Sequence, residues 1–258
     1  MNRKNLVRLL KIKGIILFLI FIQIPFLLIF LRQFLLNSNF FITNTFLNTI
    51  INDDIFIITL NYILFFLILL LLILVFKRKA ISFITRENWF HSMEKAFKPA
   101  IIAFGAGLLT TAIVFMTVNL IPGIEIIKKW LSAPNEGFLI IFESLKDDNF
   151  FKVIFLFFLI IIIGPLYEEI IFRGFLQEGI RRLFRNSKYT IIAVALVFSI
   201  AHFASLSNMI FAFVVGIFLS KKRIENANIN TTIWIHSIIN FTGLLSGIIY
   251  KYLENFKF

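Results

Sequence analysis

A chain of 258 residues that is 59% hydrophobic and only 16% charged departs from the roughly one-quarter charged composition of soluble domains, and a water-soluble fold could not hide that much apolar surface. The net charge of +12 sits in short clusters between apolar runs, without an aromatic-interleaved basic domain, which argues for lipid topology and against nucleic acid as a partner. The lack of cysteine excludes disulfides, thiolate metal sites and a cysteine nucleophile.

Apolar stretches of about 20 residues, the length that crosses a hydrocarbon layer of roughly 30 Å, recur along the chain. The sequence predicts spans near residues 15–36, 55–76, 99–121, 150–164 continuing as helix to about 184, 190–203, 206–220 and 233–250. The expected fold is all-α, a polytopic transmembrane bundle of about seven or eight helices with a polar site inside the membrane. Arg3, Lys4, Arg8, Lys11 and Lys13 precede the first run as in a signal peptide. That run is too long for a signal h-region and has no small-residue cleavage site, so it reads as a membrane helix. The many phenylalanines read as lipid-facing bulk.

Lysine and arginine are rich before the first span, in 77–98, in 181–188 and in 221–223. These segments fall on one side of successive spans, which predicts a multi-pass cell-membrane protein with a cytoplasmic N-terminus, and the abundance of Ile, Asn, Lys and Phe points to a bacterial source. The composition shifts near residue 150. Residues 1–149 read as N-terminal transmembrane helices and loops, and residues 150–258 as a core whose spans each carry an ionisable or amide group.

Three clusters in that core stand out. The first, Glu168-Glu169-Ile-Ile-Phe-Arg173, follows Gly164-Pro165. Each charge at a helix centre costs about 2.5–3.5 kcal/mol on insertion scales, so something must offset it. Glu169 and Arg173 are spaced i,i+4 with the acid first, the favoured order for a helical ion pair. Glu168 points about a hundred degrees away, has no partner on its own helix, and suits a general base facing a cavity. The second and third clusters, Phe198…His202 and His236…Asn240, are also i,i+4 pairs, so each presents both residues on one face.

Structural readings compete with the functional one. Glu169 and Arg173 can be a purely structural ion pair, and Glu168 a water-satisfied interfacial carboxylate. An intramembrane histidine is often an interhelical hydrogen-bond donor, and Asn240 can be packing glue. That reading strains to cover four such residues at once. His91, in a basic loop with Glu87 and Glu94, reads as a solvated surface residue. No H-E-x-x-H, G-x-S-x-G or Gly-rich phosphate loop occurs. Paired interrupted helices of the transporter type are not visible either.

Together the three clusters resemble the CPBP family of intramembrane proteases, which contains the type II CAAX prenyl endopeptidases and bacterial bacteriocin-immunity proteins. The family pattern, Glu-Glu-x-x-x-Arg, Phe-x-x-x-His and His-x-x-x-Asn/Asp, stands here as Glu168-Glu169…Arg173, Phe198…His202 and His236…Asn240. The likeness covers about residues 160–245, and Phe213-Val-Val-Gly216 fits it as well.

The resemblance implies an intramembrane endopeptidase in which Glu168 activates a water with help from His202. His236 and Asn240 would stabilise the oxyanion, while Glu169, Arg173 and Phe198 support the site. It implies no cofactor as the favoured case. Zinc held by Glu168, His202 and His236 is the alternative, with one position open for water. The partners implied are a peptide or membrane-protein substrate and the bilayer, in peptide maturation or bacteriocin self-immunity. The competing expectation is a non-catalytic scaffold or immunity protein of the same fold.

Overall fold

The computed structural model describes residues 63, 67, 89–133, 150–203, 205–226 and 228–254. The spans expected at 15–36 and 55–76 lie outside the described residues, apart from the helical positions 63 and 67, and with them part of the expected helix total. The chain divides into two compact units, Met1–Ala80 and Ile81–Phe258.

The elements of the second unit are α1 (Trp89–Asn119), α2 (Glu125–Leu131), α3 (Phe150–Phe184), α4 (Ser187–Ile200), α5 (Leu206–Asn226) and α6 (Asn230–Glu254), with no strand among the described residues. Three of them, α1, α3 and the stretch Asn230–Tyr250 of α6, are long and apolar enough to cross a membrane. The described residues are therefore all-helical, with three helices of membrane-crossing length and composition. Helix α1 begins ten residues before the expected start at 99, because Pro99 lies inside the helix instead of opening it. The short helix α2 falls between the expected spans, in a segment whose pattern predicts no element.

Local sequence explains the tight α3–α4 connection. Arg185 ends α3 in the left-handed region at φ 53°, which frees the chain to reverse. Asn186 then caps α4, its side-chain oxygen accepting from the backbone N–H of Lys188 at 2.9 Å and of Tyr189 at 3.2 Å. At the start of α6, Asn228 accepts in the same manner from the Thr231 N–H.

Small residues set the packing. Ala96, Ala100 and Ala103 of α1 meet Val215 and Leu219 of α5 and Ile235 and Ile239 of α6 in one buried cluster. In lipid, where apolar contact with a neighbouring helix gains little over contact with acyl chains, close backbone approach is the main source of helix association. The α4–α5 contact brings backbone close to backbone. A methyl group on Gly216 would stand 3.1 Å from the Ala195 Cα, 3.2 Å from its Cβ and 3.3 Å from the Phe198 ring.

Helix α4 spans 14 residues, about 21 Å at 1.5 Å per residue, and falls short of a hydrocarbon layer of about 30 Å. A turn following so short a helix falls short of the far surface when the helix starts at the near one, and unpaired backbone groups there are tolerated only under protein cover. Helix α2 supplies part of that cover. The Trp130 indole N–H donates to the Phe203 carbonyl at 3.0 Å, and the Ser207 hydroxyl donates to the carbonyl of the buried Leu131.

Gly216→Val should destabilise the purified protein by about 1–3 kcal/mol through overpacking against the α4 backbone. Gly105→Val, at a glycine with open space around it, serves as the control. Thermal unfolding in one detergent should separate the two variants, and equal melting temperatures would contradict the close-approach account.

Candidate active site

The site is built on the middle of α3. Two wider π-helical turns, Leu159–Ile163 and Ile170–Leu176, flank the α-helical Gly164–Glu169 that carries both carboxylates. Such turns are frequent at functional positions because they shift the face on which side chains emerge.

Glu169 and Arg173 are fully buried and joined by a 3.0 Å bond from Arg173 Nη1 to Glu169 Oε1. The same carboxylate oxygen lies 3.0 Å from His236 Nδ1 on α6. A carboxylate accepts, so Nδ1 carries the proton and Nε2 is the nitrogen left for other chemistry. That Nε2 lies 3.9 Å from Glu168 Oε2, beyond hydrogen-bond range. Glu168 is the more accessible acid, its side chain 20% exposed against 0% for Glu169. The Tyr167 hydroxyl reaches its other oxygen at 3.5 Å. Among the described residues no hydrogen-bond partner reaches Glu168 Oε2.

Phe198 of α4 is the hinge of the arrangement. Its ring packs edge-on to Phe172 with centroids 5.0 Å apart, and Arg173 Cζ stands 4.4 Å from its centroid. A desolvated guanidinium over an aromatic face gains on the order of 2 kcal/mol, part of what offsets its burial. The rings of His202 and His236 lie 4.6 Å and 5.7 Å from the same ring. His202 Nδ1 lies 2.8 Å from the Phe198 carbonyl, an acceptor, so its proton is on Nδ1 and Nε2 carries the lone pair.

The geometry thus joins Glu169, Arg173 and His236 by direct bonds, sets Glu168 beside His236, and gathers His202 through Phe198. Asn240 is committed elsewhere: its Nδ2 donates to the Ile160 carbonyl of α3 at 3.0 Å.

The zinc alternative requires Glu168, His202 and His236 to converge on one point. Among the described residues no group of three or more His, Asp or Glu side chains is placed to hold a metal ion. The residues do not fit zinc in this arrangement.

Two participants escape a reading of the sequence. Tyr167 adjoins Glu168, but an aromatic residue beside a charged one carries no signal. Gln177 does carry one, since it extends Glu169 and Arg173 by a further four residues along α3. It is buried, with Nε2 donating to the Ser220 carbonyl at 2.8 Å.

Residues 150–242, which contain every side chain of this cluster, match the family model described as type II CAAX prenyl endopeptidase Rce1-like. This part of the chain is an Rce1-like domain. Searches of curated proteins and of solved structures gave no match. The Rce1-like domain begins at the first residue of α3 and ends within α6, so α1 and α2 are outside it although α1 packs on its last two helices.

Glu169→Ala should destabilise the Rce1-like domain by roughly 3–5 kcal/mol, because it strands a buried guanidinium in a low-dielectric interior. Membrane abundance and melting temperature should both fall, and normal values for both would contradict the structural weight given to this pair.

Proposed function

We propose that this protein is an intramembrane endopeptidase in which Glu168 activates the attacking water. The observation that carries the reading is Glu168 Oε2, buried and without a hydrogen-bond partner among the described residues, 3.9 Å from His236 Nε2. That separation lets a single water touch both groups. The neighbouring acid is spent on structure, so the two carboxylates have separate tasks.

In this reading the water oxygen attacks the scissile carbonyl carbon as its proton passes to Glu168. Glu168 then returns the proton to the amine nitrogen as the C–N bond breaks. His202 assists through Nε2. His236 Nε2 can donate to the oxyanion only as an imidazolium, because Nδ1–H is already given to Glu169. A peptide segment presented within or beside the bilayer fits a site set between α3, α4 and α6. The match of residues 150–242 to the Rce1-like family supports the same reaction class.

Glu168→Gln should fold normally and lose roughly 100- to 10,000-fold in cleavage, the usual weight of a general base. Cleavage of a quenched peptide library by purified protein, with and without a strong chelator, measures this. Activity close to that of the unaltered protein in the folded variant would sink the assignment.

A further inference from the structure

The bond from Asn240 to Ile160 has a cause in the α3 backbone. In the wide turn before the carboxylates, the Gly164 N–H reaches back five residues to the Leu159 carbonyl. In that register the next donor, for the Ile160 carbonyl, is residue 165. Residue 165 is proline and has no N–H. The Ile160 carbonyl is thereby left without its helical donor at a depth where an unpaired backbone group is costly, and Asn240 Nδ2 of α6 occupies the place at 3.0 Å.

We infer that Asn240 is a positioning residue: its amide replaces the N–H that Pro165 lacks, holds the wide turn of α3 open, and so fixes the direction in which Glu168 and Glu169 leave the helix. The carboxylates follow Pro165 by three and four residues, less than one wide turn and about one α turn. A one-residue change of register at Ile160 would rotate Glu168 by about a hundred degrees, away from His236. Asn240 lies one helical turn beyond His236 on α6, so one face of α6 grips α3 twice, once at the Ile160 carbonyl and once at Glu169.

This inference rests on the protease reading only for the activity it affects, and its test has a second readout independent of that activity. Asn240→Ala is made in the natural chain and in a Pro165→Ala background, where residue 165 regains an N–H for the Ile160 carbonyl. In the natural chain the substitution should lower kcat about tenfold or more and leave KM nearly unchanged. In the Pro165→Ala background it should cost less than about threefold, a coupling characteristic of groups serving one shared contact. Melting temperature should follow the same pattern, with a loss of roughly 2–4 °C or more only in the natural chain. An oxyanion donor would instead cost the same in both backgrounds. Equal penalties in either readout overturn the inference. Should the unaltered protein cleave nothing, the proposed reaction fails and the melting-temperature comparison still decides the role of Asn240.

Discussion

The arrangement depends on keeping two fully buried charges, Glu169 and Arg173, inside an apolar helix packing. Neither has any solvent exposure. An unmatched charge in such surroundings would cost far more than any single packing contact returns. Each neighbour can be read as part of the compensation. The ion pair neutralises both charges, His236 adds a hydrogen bond to the carboxylate, and the Phe198 face receives the guanidinium. Because α3, α4 and α6 each supply one of these groups, the electrostatic solution also specifies which helices must be neighbours.

A length constraint acts beside it. His202 lies two residues beyond the end of α4, about one helical turn from Phe198. There its ring rests against Phe198, which in turn packs on the α3 cluster. The cost of a turn at that depth is met by Trp130 and Ser207, whose side-chain donors satisfy carbonyls on either side of the contact with α2. Placement of the histidine and backbone satisfaction are thus solved by the same short helix.

Much of this is legible in the sequence, for identifiable reasons. The i,i+4 spacing of Glu169 and Arg173 prescribes their ion pair whatever surrounds them, and long apolar runs identify α1, α3 and α6 as membrane-length helices. The grouping of polar residues after residue 150 locates the cluster. What stays hidden depends on depth and register. Pro99 signals a boundary, yet α1 runs through it. Helix α2 is short, and its importance comes from what it covers. The wide turns of α3 arise from backbone pairing, to which hydrophobic periodicity is blind. For that reason Asn240 can be placed on the correct face of α6 while its contact with a main-chain carbonyl goes unforeseen.

The brevity of α4 also bears on how the protein is made. A 14-residue helix is too short to settle across a bilayer as an independent unit, and α5 carries Lys221, Lys222 and Arg223 near its end, which favour retention at the surface where they are synthesised. The two are joined by a brief turn and meet along the close approach at Gly216. They are suited to entering the lipid together as a preformed hairpin, its tip carrying His202 to its depth in a single step. Assembly of the buried cluster then becomes an event of biosynthesis, completed when α6 arrives with His236.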